Sequence, residues 1–150
     1  MIRKRLGIAI LAVWMLAGCS SSAKEESAPE PKTIQLTVWG PEHTLTHLQE
    51  KADAFSSEHS AEDLQIVIEA EAAETIRDTV LTDVAGAADV ILVPAGEADV
   101  LTDAKALLPF EDGSYYLRPA ETFEEELVIA VTADTREPEW AVRLAEAFGN

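Results

Sequence analysis

His43 and His47 stand four residues apart, with Glu50 just beyond them. On a helix this spacing puts two imidazoles on one face, where they could grip a metal ion. The zinc-protease pattern needs a glutamate directly after the first histidine, and this chain has Thr44 there. No third ligand can be named, so the pair reads as exposed helix histidines and no metal site is assigned. His59 falls where a helix should end, and the dipole there favours a partly charged imidazole. A second group is acidic: Glu121, Glu124, Glu125 and Glu126. Carboxylates do acid–base work when burial or a close neighbour moves their pKa, and a run in a polar stretch reads instead as a solvated turn. There is no phosphate-cradling glycine loop and no Gly-x-Ser-x-Gly elbow. The chain does not read as an enzyme, and no cofactor is expected. The remaining reactive group is the thiol of Cys19, the single cysteine, so no disulfide can form within the chain.

The residues in front of Cys19 say what that thiol is for. Arg3, Lys4 and Arg5 form a short basic region, and Leu6 to Ala17 is almost wholly apolar. That apolar run has the length of a secretory signal core and is too short to span a bilayer. Leu16-Ala17-Gly18-Cys19 closes it, and small residues before a cut site let an extended backbone enter a peptidase cleft. The arrangement resembles the bacterial lipobox, whose cysteine carries lipid and becomes the first residue after cleavage. It implies a signal peptide over 1–18 and a lipid anchor on Cys19, with the chain held at the cell membrane on the extracytoplasmic side. Two or more acyl chains anchor stably where one does not. Residues 20–32 (SSSAKEESAPEPK) cannot form a core and read as a disordered tether.

Charge narrows the partners. The chain has 11 Lys and Arg against 28 Asp and Glu; removing Arg3, Lys4 and Arg5 leaves 8, a net charge of −20. Nucleic acid is excluded as a partner, because phosphate binding needs a basic face. Electrostatic adhesion to anionic lipid is excluded likewise. The acidity itself suits a well-solvated surface.

Residues 33–150 carry a repeating strand–helix pattern. Ile34, Leu36 and Val38 alternate, which predicts a strand to Trp39. Gly40-Pro41 breaks it, and Leu45, Leu48, Ala52 and Phe55 give an amphipathic helix to about His59. Leu64–Ile68 predicts a second strand and Thr75–Ala85 a second helix, with Gly86 as its stop. Asp89–Val93 is a continuous apolar run, as a strand covered on both faces would be. Pro94-Ala95-Gly96 reads as a turn, Glu97–Lys105 as a third helix and Leu107–Phe110 as a buried exit. Asp112-Gly113 is a turn signal, and Tyr115-Tyr116-Leu117 a short edge strand. Leu127–Val131 is another apolar strand, and Pro138 opens a last helix with Trp140, Ala141, Leu144 and Phe148 inward. The expected fold class is α/β, a mainly parallel sheet flanked by helices.

Several of these segments, in this order, resemble the extracellular solute-binding proteins of carbohydrate ABC importers (maltose-binding-like). They are Ile34–Gly40, Leu48–Phe55, Ala88–Val93 and Ala104–Phe110, then Leu127–Val131 and Glu137–Asn150. The resemblance implies a periplasmic-binding-protein-like lobe, a carbohydrate ligand and an ABC permease as partner. Family members are longer and close sugar between two lobes, whereas here only a short stretch separates Phe110 from Leu127. A single lobe with weak or lost ligand binding is therefore expected. The loop after the third strand commonly offers the family a polar pair, and here it holds Ala95-Gly96.

Sugar recognition needs an aromatic face and hydroxyl acceptors, gathered where parallel strands end. Trp39 ends the first strand, Glu42 begins the next helix and Glu97 follows the third strand. These three are the candidate ligand-binding residues. Packing of Trp39 on the helix beside it, with both acids at helix starts, explains them equally well. The alternative function is a non-transport module that docks on a membrane complex.

Overall fold

The computed structural model describes residues 32–150. The expected signal peptide, the Cys19 expected to carry lipid and most of the expected tether lie outside the described residues. Alternating apolar residues build β1 (Thr33–Gly40), with Ile34, Leu36 and Val38 buried on one face. A one-turn 3-10 helix (Glu42–Thr44) leads into α1 (Leu45–Glu58), which buries Leu48, Ala52 and Phe55 at helical spacing. Next come β2 (Asp63–Ala70), α2 (Ala73–Thr82) and a second 3-10 turn (Val84–Gly86). β3 (Val90–Pro94), α3 (Ala95–Asp103), β4 (Leu127–Val131) and α4 (Pro138–Phe148) complete the chain. No helix among the described residues is long and apolar enough to cross a membrane.

The strands form one sheet in the order β2-β1-β3-β4. β1 is parallel to both β2 and β3, with Trp39 beside Glu69 on one side and Ile91 on the other. β4 runs antiparallel to β3, Pro94 opposite Leu127. The sheet is therefore mixed, and the route of the chain explains why. After α3, Leu107 bridges Thr132 and Leu117 bridges Ile129. This extended return climbs beside β4 to the carboxyl end of β3, so β4 must enter there and run back down. The expected Tyr115–Leu117 strand is reduced to that one bridge at Leu117.

Two apolar layers flank the sheet. α1 and α4 cover one face around Leu36, Val38, Leu92, Ile129 and Phe148. α2 and α3 cover the other around Ile76, Val80, Ile91, Val93 and Leu101. Strands β3 and β4 are buried on both faces, which is why their sequences are unbroken apolar runs.

Other boundaries differ from expectation for local reasons. Pro94-Ala95-Gly96 is not a turn: Pro94 caps α3, and Ala95 and Gly96 form its first turn, where a preceding proline is well tolerated. α2 stops at Thr82, and Gly86 ends the 3-10 turn that follows it. Asp89 stays outside β3 because its carboxylate accepts the Thr37 N–H at 2.8 Å and the Thr135 hydroxyl at 2.6 Å. Lys105 follows α3 at φ 58°, a left-handed position, and lets the Ala106 N–H reach the Leu101 carbonyl at 3.0 Å.

Candidate functional site

The carboxyl ends of β1 and β3 and the start of β4 meet at one edge of the sheet. Gly40 lets β1 end tightly against its neighbours. A side-chain carbon there would lie 3.0 Å from Thr44 Oγ1, 3.2 Å from Leu48 Cδ1 and 3.3 Å from Leu92 Cβ. The Thr44 hydroxyl, fully buried, donates to the Pro41 carbonyl at 2.7 Å and fixes the turn into α1. The Ala95 N–H donates to the Glu126 carbonyl at 3.3 Å, which fastens the loop before β4 to the start of α3.

The three sequence candidates divide between the two sides of this edge. Trp39 is half-buried and packs with the α2 and α3 layer; its indole N–H is shielded and meets no acceptor among the described residues. Glu97 lies on the same side, 22 % exposed, and both its oxygens accept from Arg77 Nη1 at 3.1 and 3.2 Å. Arg77 also donates to Asp78, and this hydrogen bond, followed by the charge of Glu97, raises the guanidinium pKa above its ordinary value. Glu42 is exposed in the 3-10 turn that enters α1, on the other side. No hydrogen bond or ion pair joins any two of the three among the described residues.

A tighter cluster, not foreseen from the sequence, stands beside Glu42. His43 Nε2 lies 3.3 Å from Glu125 Oε1, and His47 Nδ1 contacts Glu121 Oε2. Phe123 meets both imidazoles edge-on, at 5.9 Å from His43 and 5.8 Å from His47. His47 is not the exposed residue expected: its side chain is 12 % exposed and its Nε2 is shielded and meets no partner among the described residues. The four glutamates are exposed, as a solvated turn would be, and three of them also pair: Glu125 with His43, Glu121 with His47 and Glu126 with Arg118 at 3.7 Å. The one sequence signal was a shared four-residue spacing, His43 to His47 and Glu121 to Glu125. Among the described residues, no group of three or more His, Cys, Asp or Glu is placed to hold a metal ion.

Behind these contacts is an open groove of about 300 Å³, lined by Arg118, Pro119, Thr122, Phe123, Leu127 and the four glutamates. An aromatic ring edged by carboxylate acceptors can take a ligand with an apolar face and several hydroxyls. His59 lies elsewhere, tilted against Phe55 with ring centroids 4.5 Å apart and edge-on to Trp140 at 5.3 Å.

No protein-family model matches the chain, and no curated protein is significantly similar to it in sequence. Two solved structures are similar in part. One is described as being with acarbose: it is 16 % identical with a TM-score of 0.46, over 65 % of this chain and 29 % of that one. The other is the maltodextrin-binding protein MalE1 from L. casei BL23 without ligand, 15 % identical with a TM-score of 0.44, over 53 % of this chain and 21 % of that one. The chain thus spans less than a third of the length of either. By its own topology it is an α/β protein with a single mixed sheet between two helical layers.

Proposed function

We propose that this chain is a lipid-anchored extracytoplasmic binding protein, a relative of the substrate-binding components of carbohydrate ABC importers. In this reading it binds and does not catalyse. Cys19 carries the lipid, and carbohydrate is taken at the sheet edge. The observation that carries the proposal is the groove lined by Phe123, Glu121, Glu124 and Glu125, beside Leu127, which pairs with Pro94 at the carboxyl end of β3. Open α/β sheets bind ligands at that end. Glu42, exposed in the turn that carries His43, would supply a further acceptor. Trp39 and Glu97 line the same edge from the α2 and α3 side.

The groove is open and leaves one side of a ligand in water, so affinity is weak until a partner covers it. An ABC permease would be such a partner. Calorimetric titration of the full chain with a panel of mono- and oligosaccharides tests the reading. One sugar class should bind with a Kd of about a millimolar, and Phe123→Ala should remove the heat. Absence of heat with every sugar would sink it. Cys19→Ala should move the chain from the membrane to the soluble fraction, and retention at the membrane would overturn the anchor.

A second reading, a protein-interaction module, draws on the exposed side chains Leu81 of α2 and Val100 of α3. These helices adjoin through Arg77 and Glu97. Failure of all sugars, with loss of a co-purifying membrane protein in Leu81→Lys, would favour it.

A further inference from the structure

At the other end of the strand order, β2 is an edge strand of eight residues, paired with β1 alone among the described residues. Its outer row of N–H and C=O groups has no strand beside it. Natural edges of this length are usually blunted by charge, proline or a bulge. Here Leu64-Gln65-Ile66-Val67-Ile68 runs through the middle without any of the three.

The packing beneath this strand is also unfinished. On β1 the core-facing residues Ile34, Leu36 and Val38 are buried, whereas their neighbours on β2, Leu64, Ile66 and Ile68, are only half-buried. The apolar layer continues to the edge and stops there. Alongside Ile68 lies a groove of about 400 Å³, walled by Leu45, Thr46, Gln49, Glu50 and Asp53 of α1. Side chains of an added strand that pointed toward the core would enter this groove. On the opposite face Val67 is 49 % exposed and would be covered by the same strand.

We propose that the free edge of β2 is a pairing site for an extended, basic, apolar-alternating segment of another protein, which joins the sheet as a fifth strand. Main-chain hydrogen bonds would supply the pairing, and the half-buried row would supply the alternate side-chain preference. Charge selects the partner's sign. Glu62, Asp63, Glu69 and Glu71 flank the edge, and Glu50 and Asp53 stand on the adjoining helix. Asp63 accepts from the Thr33 hydroxyl at 2.6 Å and Asp53 from the Gln49 amide at 2.9 Å. Lys51 of α1 is directed away, to the Asn150 carbonyl at 2.5 Å. A second copy of this chain is the wrong occupant, because antiparallel self-pairing centred on Ile66 sets Asp63 against Glu69.

The test uses the full chain and a nine-residue peptide of alternating lysine and valine. Hydrogen exchange of residues 63–70 should slow by about tenfold when the peptide binds, and the effect should weaken with salt. The same peptide with every backbone amide N-methylated, and one with glutamate for lysine, should give no protection. Val67→Lys should abolish binding without altering the melt, while Val67→Thr should retain it. Equal binding of the N-methylated peptide, or binding without protection of 63–70, would overturn the proposal. Protection of 63–70 that grows with protein concentration in the absence of peptide would overturn it too, by making a second copy the occupant.

Discussion

Arg77 reaches both carboxylate oxygens of Glu97 through a single guanidinium nitrogen, at 3.1 and 3.2 Å. The contact ties α2 to α3 across the layer that holds Trp39. It also means that a carboxylate positioned for ligand is already committed to an internal partner, so any sugar hydroxyl at Glu97 must compete with a guanidinium.

Glu97→Gln separates the two roles. The amide keeps the shape and loses the charge, so the melt of the full chain should fall by a few degrees at most, as befits a partly exposed ion pair. Carbohydrate affinity should change little if Phe123 and its glutamates carry the ligand. A large loss of affinity with an unchanged melt would instead put Glu97 in the binding set.

Tyr116 should report the packing of the chain's return beside β4. Its hydroxyl donates to Asp99 Oδ1 at 2.9 Å, and that hydrogen bond, then the charge of Asp99, then burial and Glu126, raise its pKa above 10.0. The folded value lies above the unfolded one, so the contribution to stability is complete below the ordinary tyrosine range. It is lost as pH rises through the folded value. Ultraviolet titration should show a phenol ionising late; Tyr116→Phe should remove that step and Asp99→Asn should bring it down. A Tyr116→Phe chain with the same late step would refute the assignment.

Asp112 should show the opposite sign. The Ser114 hydroxyl and N–H donate to its Oδ1 at 2.6 and 2.9 Å and hold its carboxyl below the ordinary 3.8. The turn it fixes is therefore fully favoured above the ordinary aspartate range and loosens as pH falls through the lowered value. The protection of the Ser114 amide, its exchange relative to the unprotected rate at each pH, should fall on acidification, and Asp112→Ala should show the low protection at every pH.

What the sequence revealed was whatever lies within one element. Alternation at Ile34, Leu36 and Val38, helical spacing at Leu48, Ala52 and Phe55, and the apolar runs of β3 and β4 each follow from a local period. The direction of β4 was not legible, because nothing in Leu127–Val131 encodes it; only the path from Leu107 to Leu117 does. Nor was the pairing of His47 with Glu121, since those residues are far apart in the chain and meet only after the sheet has formed. Pro94-Ala95-Gly96 misled because proline and glycine mark turns, yet proline is equally at home before a helix.

Lys105 offers a stabilising substitution. At φ 58° its β-carbon crowds the backbone, and glycine would adopt the same conformation freely. Lys105→Gly should raise stability by about 0.5–1 kcal/mol, read as a higher thermal midpoint. A lower midpoint would mean that the lysine side chain contributes more than its backbone costs.

Gly40→Ala joins the fold to the site. The new methyl would meet Thr44 Oγ1, Leu48 Cδ1 and Leu92 Cβ within 3.0–3.3 Å, so at least one must retreat by a few tenths of an ångström. Leu92 is locked in the sheet and buried, so the 42–44 turn and the first turns of α1 should yield instead. Overpacking of this kind costs about 1–3 kcal/mol. The displaced turn carries Glu42 and His43 and leads directly to His47, so the contacts to Glu125, Glu121 and Phe123 should loosen with it. Two readouts should therefore move together: a lower melting midpoint, and faster hydrogen exchange across residues 118–126. A lower midpoint with unchanged exchange in that loop would show that the Gly40 contact supports the core alone and does not position the groove.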